Sequence, residues 1–215
     1  VFARVASASY SLARLPKKEW PNAAAFFIKS ADARLAEAEY AQNDPHNLLL
    51  ALAGLIVASH KVMGARLKET ISEIEQALAV TIDWQTLQLT MHENAEEALS
   101  RLASVWNSHA AKYDVVLRRW LAMQFSLALY PFGGLGESLA DRMTLIGVRL
   151  ATFKLALASA CVMQDGVLSE ETVVRIAQSL SRFLDHLGEA SYSLTIYSET
   201  GWTREGRLRG AVELF

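Results

Sequence analysis

The sequence predicts an all-α fold, a single-domain helical bundle of about eight to nine helices. Apolar residues recur every three to four positions along most of the 215-residue chain, which is the period of an amphipathic helix. No stretch keeps the strict two-residue alternation of a half-buried strand. No linker rich in Gly, Pro or Ser divides residues 1–215, and no repeat of fixed length is visible. We therefore expect one domain of packed helices and not a solenoid.

The first half of the chain shows five helical patterns, most of them bounded by Pro or Gly. They cover residues 2–15, about 22–42, 45 to about 62, about 67–80 and 83–107. Pro21 and Asn22 suit a helix start, and Asp44 can cap the third helix with Pro45 at its first position. The third helix is apolar nearly all round, which predicts a central position.

The second half shows four more helical patterns. They cover residues 110 to about 130, 138–163, about 169–187 and 190–199. Pro131 ends the first of these, because it lacks a backbone donor. The pattern from Ser138 is as uniformly apolar as the third helix, so we expect these two at the centre. Ser169 can cap the next helix, where Glu170 and Glu171 favour the positive end of the helix dipole. We expect no sheet beyond an incidental bridge.

Charge balance argues against nucleic acid and membrane as partners. The chain has 21 Lys and Arg against 23 Asp and Glu, and no clustered basic face of the kind that nucleic-acid binders carry. The apolar stretch from Leu139 to Met163 is long enough to span a bilayer. Asp141, Arg142, Arg149 and Lys154 interrupt it, however, so a buried helix of a soluble protein is the better interpretation.

No known catalytic or metal-binding pattern is present. The lone cysteine, Cys161, excludes an internal disulfide and a multi-cysteine metal site, and its apolar neighbours predict a buried thiol. The five histidines are not paired at helical spacing, so we expect no metal. The glycine-rich turn at residues 133–136 follows a helix and lacks the lysine of a phosphate-binding loop. No nucleophile elbow is visible.

Two groups of charged residues are candidates for function. Arg182, Asp185 and His186 share one helix face, where they could bind an anion or orient a partner. The alternative is a solvated or self-paired face. Arg149 and Lys154 interrupt an apolar helix, so they need partners, and Asp114, Glu137 and Asp185 could supply them.

A large apolar residue in the turn before residue 138 extends this candidate surface. Phe132 either buries against the core, which is the favoured reading, or faces a partner. We expect Arg182 or His186 to reach this turn or the Arg149 helix. The predicted interaction surface consists of Phe132, Gly133, Arg149, Lys154, Arg182, Asp185 and His186.

Three segments of the second half resemble a known family. They are Tyr130-Pro131-Phe132-Gly133, the helix with Arg149-Leu150-Ala151-Thr152-Phe153-Lys154, and the segment from Leu168-Ser169-Glu170-Glu171 to Asp185-His186. Together they resemble the C-terminal part of bacterial flagellin lysine N-methylases, over residues 110 to 200 or so. The resemblance assigns no catalytic residue to this chain.

The resemblance implies a function for the longer protein. Family members use S-adenosylmethionine to methylate surface lysines of flagellin in the cytoplasm, before export. They carry a cysteine cluster, associated with iron–sulfur binding, in their N-terminal part. This chain has only Cys161 and starts at Val1, so we expect it to be the C-terminal fragment of a longer protein, with no cofactor of its own. We expect it to be inactive alone and to bind flagellin or the N-terminal domain.

Two alternatives remain from the residues themselves. One is a helical protein-interaction scaffold, and the other is a ligand-binding regulatory domain without catalysis. Cysteines clustered upstream of Val1 would favour the methylase, whereas a helix-turn-helix there would favour the regulator.

Overall fold

A computed structural model describes residues 2–33, 45–59, 63–127, 138–185 and 190–199, and most of these residues are helical. The α-helices are α1 (Phe2–Ala13), α2 (Trp20–Lys29), α3 (Pro45–Ala58), α4 (Ala65–Leu78), α5 (Ala95–Leu127), α6 (Leu139–Met163), α7 (Glu170–Leu184) and α8 (Ala190–Glu199), with a 3-10 turn at Lys17–Glu19. The predicted helical fold class is confirmed.

A short β-hairpin corrects the expectation of no sheet. Strand β1 (Val80–Asp83) pairs antiparallel with β2 (Gln88–Met91). The predicted helix at 83–107 is therefore wrong over its first part. Val80 and Ile82 are buried while their neighbours face solvent, which is the alternation of a half-buried strand. This alternation lasts only four residues, too few to stand out against the helical pattern around it.

The turn of this hairpin is organised by one carboxylate. Asp83 accepts hydrogen bonds from the backbone N–H groups of Gln85 and Thr86, at 2.8 and 3.3 Å. These bonds stabilise the charged form and lower the pKa of Asp83 below its usual value of 3.8. The Glu75 carboxylate accepts the backbone N–H of Ile82 at 2.8 Å. The hairpin is thus joined to the end of α4.

Helix α5 is continuous where two helices were expected. The prediction ended one helix at Asn107 and began the next at Ala110. No Pro or Gly occurs between Ala95 and Leu127, and the polar side chains bond within the helix. The Ser108 hydroxyl donates to the Ser104 carbonyl at 2.9 Å, and a ring nitrogen of His109 lies 2.9 Å from the Val105 carbonyl oxygen. Bonds back to the carbonyl four residues earlier slightly destabilise a helix, yet α5 stays continuous through both residues.

The described residues fall into two compact units. The first contains α1, α2, α8, the end of α5 from Met123 and the start of α6 up to Val148. In it, α1 packs on α2, and the Arg4 guanidinium Nε lies 2.7 Å from the Asp32 carboxylate. Tyr10 of α1 shares a 2.6 Å hydrogen bond with the Thr144 hydroxyl of α6. The prediction of a single domain remains a prediction.

The second unit contains α3, α4, the hairpin, α7 and the remaining parts of α5 and α6. In its core, Trp120 stacks on Phe153, with ring centroids 4.7 Å apart. Helix α3 is buried along most of its length, and the part of α6 in this unit is buried from Arg149 to Val162. The two helices predicted to be central are therefore confirmed as core elements.

Helix α6 passes a length-and-composition test for a membrane span. Its most apolar window is nonetheless entirely buried inside the protein. Core helices of soluble proteins have the same length and composition, so the prediction of no membrane contact remains a prediction.

Helix α7 begins as predicted. The Ser169 hydroxyl accepts the backbone N–H of Thr172 at 3.1 Å, which satisfies one of the unpaired donors of the first turn. The Tyr113 hydroxyl of α5 accepts the backbone N–H of Leu168 at 2.9 Å. These two contacts fix the start of α7, the helix that carries Arg182.

Candidate functional site

Four of the seven residues predicted to form an interaction surface are described by the structure. Phe132, Gly133 and His186 lie outside the described residues, as does the whole turn from residue 131 to 136. Arg149, Lys154, Arg182 and Asp185 are described, and all belong to the second unit. The surface as a whole therefore stays a prediction, and only these four residues can be placed.

Arg149 is buried and holds the end of α7. One guanidinium nitrogen lies 3.1 Å from a carboxylate oxygen of Asp185, and another donates to the Leu184 carbonyl at 2.7 Å. A cation at the last carbonyls of a helix complements the helix dipole. Asp185 was among the predicted partners of Arg149, and this pairing is confirmed.

Lys154 is buried beside an aromatic ring. Its side chain is on α6, the residue is 7% exposed, and the ammonium nitrogen lies 6.0 Å from the ring centroid of Trp106 on α5. This distance is at the outer limit of a cation–π interaction. Trp106 in turn stacks on Tyr113. Lys154 therefore lies within the core of the second unit, below its accessible surface.

Arg182 differs from both, because it is exposed. Among the described residues it has no hydrogen-bond or ion-pair partner. Asp185, three residues later, pairs with Arg149. No described residue therefore neutralises the charge of Arg182.

Arg182 lines a cleft of about 950 Å³ between α4 and α7. The lining also includes Ile56 at the end of α3 and the residues that lead into α4. The described lining residues are Ile56, Met63, Gly64, Ala65, Arg66, Leu67, Gln178, Ser179, Ser181, Arg182 and Phe183. A cavity of this size lies at the upper end of the range for small-ligand pockets.

A polar seam between α4 and α7 sets the geometry of this cleft. Arg66 donates to the Gln178 side-chain oxygen at 2.7 Å, and the Thr70 and Ser179 hydroxyls are 3.3 Å apart. Further along, the Arg175 guanidinium lies 2.6 and 2.8 Å from the two oxygens of the Glu73 carboxylate. Arg66, near the start of α4, contacts Gln178, whereas Glu73, later in α4, contacts the earlier residue Arg175 of α7. The two helices therefore run antiparallel, and the cleft opens beside the start of α4.

The electrostatic character of the cleft is positive. Among the described lining residues there are two guanidinium groups, Arg66 and Arg182, and no carboxylate side chain. The first turn of α4 contains no acidic residue, and Gly64 at its N-cap provides no side-chain hydrogen bond. The positive end of the α4 dipole therefore adds to the two arginine charges.

Sequence reasoning identified Arg182 but missed Arg66 and the rest of the cleft. Arg66 and Gln178 are separated by 112 residues, and no local pattern connects them. The available signal was weak. It consisted of Gly64 before the fourth helical pattern and an arginine two positions later. Which helix packs against that end was not readable from one sequence.

In the described part of the chain, no group of three or more His, Cys, Asp or Glu side chains is arranged so that it could hold a metal ion. Cys161 is fully buried, and desolvation by burial raises the pKa of its thiol above the usual 9.0, although a hydrogen bond with Tyr113 opposes this shift. A protonated buried thiol is a poor nucleophile, as the sequence predicted for this residue.

Fold and site together define a helical domain with a cleft whose described lining carries two arginines and no carboxylate. The family model of the FliB lysine N-methylase C-terminal domain matches residues 17–204. The match covers most of the chain, and the chain belongs to this family. The resemblance seen in residues 110–200 is thereby confirmed and extends further towards the N-terminus. No curated protein and no solved structure matches this chain.

Proposed function

We propose that this chain is the C-terminal helical part of an enzyme that methylates lysine side chains of flagellin, with S-adenosylmethionine as the methyl donor, in the cytoplasm. The observation that carries the proposal is the family match over residues 17–204. The methyl donor, the substrate and the location follow from the resemblance to flagellin lysine N-methylases. We place the iron–sulfur cluster in an N-terminal part of the enzyme, because the resemblance puts the cysteine cluster of the family there.

Within this enzyme, we propose that the domain binds flagellin and does not carry out the transfer. The open cleft beside α4, lined by Arg182, which has no partner among the described residues, supports a binding role. The burial of Cys161 and Lys154 in the second unit is consistent with this division, because neither group is placed to attack a substrate. The domain would present flagellin to the part of the enzyme that binds the methyl donor.

Methyl transfer measured with and without the N-terminal part tests the proposal. The longer enzyme, purified under anaerobic conditions, is incubated with flagellin and S-adenosylmethionine, and lysine methylation is read by mass spectrometry. We expect methylated lysines with the longer enzyme and none with this chain alone. Methylation by this chain alone would contradict the division of labour. No methylation by the longer enzyme would contradict the proposed activity.

A helical interaction scaffold without catalysis is the second candidate, and the same cleft favours it. The two functions separate in the experiment above. A scaffold would bind flagellin or another protein with the same affinity in the presence and absence of S-adenosylmethionine. The longer protein would then leave every flagellin lysine unmodified.

A further inference from the structure

The cleft between α4 and α7 has two chemically different parts. Ile56, Leu67 and Phe183 form an apolar floor, and all three are buried or nearly so. Arg66 and Arg182 stand at the same cleft and are exposed. A ligand that fills this cleft therefore meets apolar surface and positive charge side by side.

Neither arginine is neutralised by a carboxylate in the described part of the chain. Arg66 bonds to the uncharged amide of Gln178, and Arg182 has no partner there. Arg175, two turns before Arg182 on the same helix, is paired with both Glu69 and Glu73. The contrast along α7 shows that the carboxylates of α4 compensate one end of this interface and leave the cleft end uncompensated.

We propose that the cleft binds a peptide segment that carries a carboxylate side chain next to apolar side chains. The carboxylate accepts hydrogen bonds from Arg182, whose guanidinium geometry matches a carboxylate. Arg66 and the start of α4 add attraction for the negative charge. The apolar side chains cover the floor of Ile56, Leu67 and Phe183. The proposal rests on the proposed function only in naming flagellin as the protein that supplies the segment.

The apolar floor distinguishes this occupant from a free inorganic anion. An anion such as phosphate would use the guanidinium groups and leave the floor in water. A peptide uses both parts, because burying apolar area contributes about 25 cal/mol per Å² in addition to the charge contacts. Charge complementarity selects an acidic segment over a basic one, since two like charges at the cleft would repel a lysine-rich peptide.

Binding of labelled model peptides to the complete chain tests the assignment. One fluorescein-labelled peptide of about 15 residues contains leucine, alanine and glutamate, and its matched control contains lysine in place of glutamate. Fluorescence anisotropy should show binding of the glutamate peptide in the micromolar range and at least about tenfold weaker binding of the lysine peptide. Arg182→Ala should weaken binding of the glutamate peptide by about tenfold.

Arg119→Ala is the control for loss of an arginine charge. Arg119 is exposed on α5 and is not among the residues that line the cleft, so this variant should bind the glutamate peptide as the unmodified chain does. Thermal unfolding of both variants checks that each remains folded. If Arg182→Ala is unfolded, Arg182→Lys replaces it, because lysine keeps the charge but loses the paired geometry and should weaken binding less.

Three outcomes would overturn the assignment. Equal affinities for the glutamate and lysine peptides would show that the charge of the peptide does not determine binding. If millimolar inorganic phosphate displaces the bound glutamate peptide and chloride at a matched concentration displaces it equally, the binding reflects only non-specific charge screening. Self-association of the chain that Arg182→Ala abolishes would make a second copy the occupant. None of these outcomes bears on methyl transfer by the longer enzyme, so the inference can fail while the proposed function stands.

Discussion

Three basic residues of α6 and α7 differ in burial and in their partners. Arg149 is buried and paired with Asp185, Lys154 is buried near Trp106, and Arg182 is exposed and unpaired among the described residues. The sequence named Asp185 as one of three possible partners, with Asp114 and Glu137, because a buried arginine requires a carboxylate. It could not separate Arg182 from these residues, since exposure depends on which helix packs nearby.

Breaking the buried pair should cost much more stability than breaking an exposed one. Arg149→Met removes the cation from Asp185 and the donor from the Leu184 carbonyl, and it should lower the free energy of unfolding by about 2–3 kcal/mol. Arg118→Met is the matched control, because Arg118 pairs with Asp114 at 2.8 Å with 78% of its side chain exposed. That change should cost about 0.5 kcal/mol or less. Urea unfolding measures both, and equal costs would argue against the buried pair.

The Cys161 thiol should be protected from modification in the folded chain. It is buried, and its raised pKa lowers the fraction of reactive thiolate at neutral pH. We expect a disulfide reagent such as DTNB to label it only slowly in native buffer and fully in denaturant. Rapid labelling of one thiol per native chain would show that the environment of Cys161 is open.

Local sequence patterns predicted the ends of individual helices correctly in two cases. The Ser169 cap and the bounds of α8 were predicted correctly, because capping and periodicity act within a few residues. The hairpin was missed, since Val80 to Asp83 alternates for only one short strand and its partner strand is mostly exposed. A pair of strands is stabilised by contacts between the two strands, and hydrophobic periodicity within one segment does not reveal such contacts.

The hairpin turn should respond to pH through Asp83. Its pKa is lowered in the folded chain, so its charged form contributes stability above the usual value of 3.8, and this contribution is lost as the pH falls below it. Asp83→Asn should lower the melting temperature slightly at pH 7, and this difference should shrink as the pH falls below 3.8. Melting curves across this range provide the measurement, and a difference that grows at low pH would contradict the assigned sign.

The features that the sequence did not predict depend on packing between residues far apart in the chain. The helical class, the two core helices and the family were predictable, because hydrophobic periodicity and family motifs are distributed along the chain. The cleft was not, since its walls come from residues 56–67 and 178–183. Of the predicted surface, Arg182 lines the cleft, and Arg149 and Lys154 are buried in the same unit, where Arg149 pairs with Asp185. Phe132, Gly133 and His186 lie outside the described residues.

The central claim is that this domain binds flagellin through the cleft that Arg182 lines. Isothermal titration calorimetry of the chain with monomeric flagellin tests it most directly, using the unmodified chain, Arg182→Glu and Arg119→Glu. The account predicts measurable binding that Arg182→Glu weakens by at least about tenfold, because a carboxylate would replace the attractive charge with a repulsive one. Arg119→Glu should leave the affinity unchanged. No binding of flagellin, or equal affinities for the two folded variants, would contradict the account.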